Sequence, residues 1–305
     1  MHEIFRPDGK WFKGNLHMHT TLSDGHLSPE EAVAVYRDAG YDFVALTDHW
    51  VQGRGGPQGG LLVLSGCEWN TGDMVSTPVY HIVGVGMERE VPKEEIRKAP
   101  AQKIIDAIDA AGGVAILAHP AWSVTDPAEA MKLRGLCAAE VYNTLSGLPW
   151  NGARADASLY FDLWATRGKL FRCVAVDDSH YYNGEQTRSY VMVRAKECTP
   201  TALKEALRAG DFYASQGPRF SSIRCGEGRV EAEFSGAVTA VFYSNTVWCD
   251  DRVLSGASGF ASYKIKPTDR YVRIELVGAD GTRAWCSPIA VKEKTGDFKT
   301  ERSIR

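Results

Sequence analysis

Residues 28–49 read SPEEAVAVYRDAGYDFVALTDH, and they hold one complete folding unit. Ser28 is placed as a helix N-cap, Pro29 takes the first helical position, and Gly40 closes the helix as its C-cap. YDFVALTDH then reads as a short apolar strand whose polar residues arrive only at its end. The same grammar recurs on either side. KWFKGNLHMH (10–19), LLVLSGCEW (61–69), VYHIVGVG (79–86), VAILAHP (114–120), AAEVYN (138–143) and LFRCVAVDDSH (170–180) read as strands. PAQKIIDAIDAAGG (100–113) and ARADASLYFDLWATRG (153–168) read as helices, and GRGGPQGG (53–60) as a glycine-rich loop. Strands written as continuous apolar runs and alternating with helices fit a parallel sheet covered on both faces, or a TIM-like barrel. In such folds chemistry gathers at the C-terminal strand ends.

Past TPTALKEALRAGDFYASQGPR (199–219), read as a last helix and a turn, the texture changes. RVEAEF, AVTAVFYS, TVWCD, GFASYKI and RYVRIELVG are short alternating runs split by turn residues, the pattern of a small antiparallel sheet or sandwich. The reading therefore divides the chain into an α/β part at 1–217, an all-β sandwich-like module at 218–292 and a polar tail at 293–305.

Bulk properties narrow the function. The chain has 305 residues, is 44% hydrophobic and 24% charged, and carries a formal charge of −3, so a packed core is expected and a nucleic-acid partner is not. No apolar leader and no run approaching eighteen apolar residues occurs, which points to a cytoplasmic protein without a membrane span. The seven cysteines are odd in number, scattered and never spaced CxxC, as suits reduced thiols.

The strand ends carry the candidate site. His17 and His19 sit two apart, a spacing that puts both on one face of a strand. Asp24 lies in SDG, Asp48 and His49 in TDH, and Glu68 ends an apolar run where an unpaired carboxylate would be costly. His81 interrupts VYHIVGVG, His119 precedes Pro120, and Asp178 and His180 repeat the i, i+2 spacing with Asp177 pointing away. Each has a bland alternative as a turn, cap or core residue. Together six of the eight histidines and three carboxylates form a nitrogen and oxygen ligand set suited to two or three divalent ions such as zinc, manganese or iron. His2 and His26 fall outside the pattern. His180 and Asp48 are candidates to manage protons. Arg54, Asn70, Asn143 and Arg188 are candidates to meet a substrate. No GxSxG motif offers a serine nucleophile.

In this order, HMH…SDG, TDH, CE, YHIVG, AHP and DSH resemble the PHP (polymerase and histidinol phosphatase) family over residues 12 to 215. The two ends of the chain look most like its CehA/McbA-type branch. The resemblance implies a distorted (β/α)7 barrel with a trinuclear centre and a metal-activated hydroxide that hydrolyses a small phosphate ester or nucleotide. It implies His17, His19, Glu68 and Asp178 around one ion, Glu68, His81 and His119 around a second, and Asp24, His49 and His180 around a third. Asp24 stands where many members have histidine. A non-phosphate ester, carbamate or amide is the alternative substrate, and a homo-oligomer is possible.

Overall fold

The computed structural model describes residues 1–73, 75 and 77–291, so the tail expected at 293–305 lies outside the described residues. The unit at 28–49 forms as a helix, Pro29–Asp38, followed by a buried strand, Phe43–Ala45. Ser28 accepts from the Glu31 backbone N–H while the Glu31 carboxylate returns the bond to the Ser28 N–H, a reciprocal cap that satisfies two otherwise orphaned donors. Ala39 is the C-cap, and Gly40 follows in the left-handed region at φ 73°.

The expected (β/α)7 barrel does not form. Among the described residues, strands take 35% and helices 18%, and no hydrogen-bonded barrel closes. Instead, two open sheets face each other. The smaller runs in the order Cys173–Val176, Leu136–Asn143, Val114–Leu117, Tyr80–Val85 and Gly66–Thr71. Its first three strands are parallel, but Tyr80–Val85 is antiparallel to both of its neighbours. The cause is the connection from Thr71 to Tyr80. A parallel return needs about a dozen residues or more, usually a helix, and this segment is too short to provide it.

The larger sheet is parallel only across Lys10–Asn15, Phe43–Ala45 and Leu61–Leu64. Tyr190–Ala195 and Phe212–Ser215, strands outside the expected series, pair antiparallel beside Lys10–Asn15. Phe212–Ser215 pairs on its other side with Arg283–Trp285, so the ladder continues into Tyr271–Val277 and Thr239–Tyr243. Arg219–Gly226, Arg229–Ser235 and Phe260–Lys264 form a separate antiparallel sheet with His2–Glu3. TVWCD at 246–250 is not a strand. The Asp269 carboxylate accepts from the hydroxyls of Ser244 and Thr246, which fixes a loop there and leaves Trp248 79% exposed.

Between the two large sheets lies an apolar layer that includes Leu16, Ala45, Leu64, Val83, Ile116, Val174 and Val191. Full burial of a side chain of this size stabilises the fold by about 1.5–3 kcal/mol, so this layer anchors the strands whose polar ends continue beyond it. At those ends two single bridges join the sheets, Met18 to Ser179 and His49 to Glu68. The first sets His17 and His19 beside Asp178 and His180; the second sets His49 beside Glu68.

Candidate metal centre

Glu68 is the hub. It is 1% exposed, and five imidazoles surround its carboxylate. Oε2 lies 3.2 Å from His17 Nε2, from His19 Nε2 and from His49 Nδ1. Oε1 lies 2.8 Å from His81 Nδ1 and 3.2 Å from His119 Nε2. Asp178 Oδ1 stands 3.1 Å from both His17 Nε2 and His19 Nε2, which are themselves 3.1 Å apart. Asp24 closes the outer side, 3.5 Å from His180 Nε2, 3.6 Å from His19 Nδ1 and 3.7 Å from His49 Nε2.

The rings are held from outside. Glu140 Oε1 accepts from His17 Nδ1 at 2.7 Å, Ser123 Oγ meets His119 Nδ1 at 2.9 Å, and the Asp178 carbonyl accepts from His180 Nδ1 at 2.8 Å. With protons on those outer nitrogens, the Nε2 lone pairs of His17 and His119 face carboxylate oxygens. Asp178 Oδ1 is buried without a hydrogen-bond partner. Such a convergence of acceptors is unfavourable until a cation or protons occupy it. Ligands roughly 2.0–2.2 Å from a shared ion stand roughly 3.0–3.5 Å apart, and the inner contacts match that spacing. Three groups of side chains can hold an ion: His17, His19, Glu68 and Asp178; His49, Glu68 and His81; and His19, Asp24, His49 and His180. The donor set and the orphaned oxygen fit divalent metal ions.

Backbone conformation supports the same place. His119 at φ 24° and Asp178 at φ 54° occupy the positive-φ region that L residues seldom adopt. Strain of this kind costs about 1–3 kcal/mol per residue and persists where the surroundings impose it, often at functional sites.

Electrostatics show what fills the centre without metal. Burial would lift the Glu68 carboxyl, but His17, His81 and His119 pull it well below the usual carboxylate range. Burial opposes charge on His17, yet Asp178, Glu68 and Glu140 raise it well above its ordinary value. Likewise, burial is outweighed at His180 by Asp24 and Asp178, which raise it to about 9. At neutral pH, therefore, protons occupy His17 and His180, where an ion would bind, whereas burial lowers His49 and disfavours its charge. A folded-state value above the unfolded one means that the His180 pair contributes stability fully below about pH 6.5. That contribution fades as pH rises through about 9. Metal binding must displace these protons, so affinity is expected to climb between pH 6 and 9, with proton release at pH 7.5. Titration calorimetry in two buffers of different ionisation enthalpy measures both, and pH-independent binding would contradict this protonation state.

Other residues named from sequence have different placements. Asp48, expected to manage protons, spends both oxygens on the loop that follows His19. Oδ1 accepts from Thr20 N–H and Ser23 Oγ, and Oδ2 from Thr20 Oγ1, each at 2.8 Å. Asn143 is 1% exposed and donates to Glu140 at 2.8 Å and Asp178 at 3.1 Å, so it orients the cluster instead of meeting substrate. Asn70 accepts from the Trp50 indole N–H at the rim. Arg54 and Arg188 line two other cavities, of about 770 and 570 Å3, neither of which includes a cluster residue. His26 is exposed and packs its ring edge-on against Tyr181. Asp177 does point away, accepting the N–H groups of Thr187, Arg188 and Ser189.

Glu140, which the sequence reading did not single out, buttresses the cluster. Besides His17, it accepts the His119 backbone N–H at 2.8 Å. A carboxylate inside the apolar run LCAAEVYN was the available signal, the same one that marked Glu68.

No protein-family model matches the sequence, and no curated protein is significantly similar to it. Among solved structures, the chain is similar to a two-domain protein from Bacteroides vulgatus that contains a predicted PHP-like metal-dependent phosphoesterase. The two share 16% identity at a TM-score of 0.52, over 94% of this chain and 98% of that one. An amidohydrolase from Chromobacterium violaceum, solved with sulfate and no metal, aligns over 56% of this chain and 89% of its own, with 17% identity and a TM-score of 0.42. At 16% identity the first likeness shows a shared fold.

Proposed function

We propose that the protein is a metal-dependent phosphoesterase acting on a small phosphate ester, with its catalytic part at 1–217 and a β module at 218–292. One observation carries this reading: the Glu68 carboxylate ringed by five imidazoles, with Asp178 beside it. Such a nitrogen and oxygen set without thiolates suits two or three zinc, manganese or iron ions. His17, His19, Glu68 and Asp178 would hold one, Glu68, His81 and His119 a second, and Asp24, His49 and His180 a third. The ions supply Lewis acidity and a water of lowered pKa when bound. The fold shared with a chain described as PHP-like is the ground for preferring a phosphate substrate.

The remaining work falls to the chain. Glu140 and Asn143 keep His17, His119 and Asp178 aimed inward. Asp48 and Ser23 brace the loop that presents Asp24. His180, tied at Nδ1 to the Asp178 carbonyl, keeps Nε2 toward Asp24 and lines the cavity; when no third ion takes that nitrogen, it can hold a proton for a leaving oxygen. Among the described residues no helix is long and apolar enough to cross a membrane, and a cytoplasmic enzyme with reduced cysteines is the setting we infer.

A carbonyl ester, carbamate or amide is the competing substrate, favoured by a cluster cavity that no lysine or arginine lines among the described residues. A parallel assay separates the two. Manganese- or zinc-loaded protein is given p-nitrophenyl phosphate, a nucleotide panel, p-nitrophenyl acetate and a naphthyl carbamate. Phosphate release without carbonyl cleavage is expected, and carbonyl cleavage alone sinks the phosphoesterase reading.

A further inference from the structure

The cavity over Glu68 and Asp178 is small, about 210 Å3, and its composition is one-sided. Beyond the ligand set, its walls are Trp122, Leu145, Ser146, Asn151 and Tyr181. None of the described residues lining it is a lysine or arginine, and the carboxylate of Asp24, 55% exposed, sits among them. Arg54 and Arg188, the arginines placed by sequence near an anionic substrate, line separate cavities. Arg188 is further tied down by a bond from Nε to the Gly184 carbonyl.

Trp122 is the fixed wall. Its ring stands edge-on to His119, with centroids 4.9 Å apart and planes at 83°, and edge-on to His81 at 6.1 Å. Its indole N–H donates to Asn151 Oδ1 at 2.8 Å, which satisfies its one polar atom and leaves the ring body as an apolar surface beside the ligands. Leu145 adds a second apolar contact.

We infer that the substrate carries a single phosphoryl group on a small, uncharged, largely apolar alcohol, and that Trp122 is the residue that selects it. This inference rests on the phosphoesterase reading. Bound ions neutralise one phosphoryl group. A second anionic group then meets Asp24 and, among the described residues, no lysine or arginine, in a space where repulsion between like charges is poorly screened. An apolar group instead gains contact with Trp122 and Leu145 and loses no hydrogen bonds there.

The test compares phenyl phosphate with 4-carboxyphenyl phosphate and ATP on the metal-loaded full chain. Phenyl phosphate and its carboxyl analogue are alike in shape and differ by one charge. For phenyl phosphate, kcat/KM is expected to be about 10–100-fold higher than for either anionic ester. Calorimetric binding of phenylphosphonate, which is not hydrolysed, is expected to be about tenfold tighter than that of methylphosphonate. Trp122→Ala should erase that binding difference and raise KM for phenyl phosphate, with metal content unchanged, and Trp122→Phe should restore most of both. Phosphate release with equal or better use of the carboxyl ester or ATP overturns the inference and leaves the phosphoesterase reading standing. Release from no ester by protein of verified metal content removes the reading and the inference together.

Discussion

Replacing Glu68 with glutamine is expected to lower phosphate-ester turnover by about 10^3-fold or more while the protein stays folded. Glutamine keeps the side-chain shape, so the change removes charge and one acceptor without opening a cavity. The loss is large because no neighbour can substitute. Both Glu68 oxygens are shared among five imidazoles, and Asp178 reaches only three of them within 4 Å: His17, His19 and His119. A Lewis-acid contribution of several kcal/mol depends on the ions being held there, and each 1.36 kcal/mol is tenfold in rate. A graded comparison strengthens the case. Glu140→Gln, one layer further out, is expected to weaken metal affinity by about 10–100-fold, the usual cost of losing a group that orients a ligand histidine. Metal content after loading and desalting, together with circular dichroism, measures both. Glu68→Gln protein that keeps a full metal complement and activity within tenfold of the parent would falsify the proposed centre.

How far the sequence foretold this site depends on which physical signal each residue carries. His17 with His19 and Asp178 with His180 are readable because period-two spacing puts both members on one strand face, and the Met18–Ser179 bridge sets the two pairs side by side. Glu68 is readable because an unpaired carboxylate ending an apolar run is too costly to be accidental. Glu140 carries the same signal but sits in mid-strand, where nothing near it in sequence suggests a ligand. Asp48 shows the opposite failure. Its TDH context suggests chemistry, yet Thr20 and Ser23, distant in sequence, take both its oxygens. The barrel misled for a related reason. An apolar run such as VYHIVGVG says that a strand is buried and nothing about its direction. Direction is set by the length of the connection before it and by which edges lie free, as for Tyr190–Ala195 beside Lys10–Asn15.

The second large effect concerns stability, where Tyr271–Val277 packs against the helix Ser158–Thr166. Arg273, 2% exposed on Tyr271–Val277, grips the Asp162 carboxylate of the helix Ser158–Thr166 with Nε at 2.8 Å and Nη2 at 2.5 Å. Its other branch donates to Glu275, 3% exposed, and its guanidinium lies 4.1 Å from the centre of the Tyr243 ring. Arg273→Met is expected to destabilise the protein by about 3–5 kcal/mol, because it leaves the buried Glu275 carboxylate without its main partner. Arg283 is too far to replace it, at 3.9 Å from Glu275 Oε2 and already 2.8 Å from Asp156. If the stranded charge is the cause, removing it must restore stability. The double variant Arg273→Met, Glu275→Leu should regain most of the loss, since replacing a whole buried ion pair with apolar groups is often neutral or stabilising. Urea unfolding of the parent, both single variants and the double variant completes the cycle. A single Arg273→Met cost below about 1 kcal/mol would mean that the bidentate grip on Asp162 and the pair with Glu275 only balance their own desolvation. This junction would then rest on its other contacts, among them the backbone ladder from Phe212–Ser215 to Arg283–Trp285 and the Arg283–Asp156 pair.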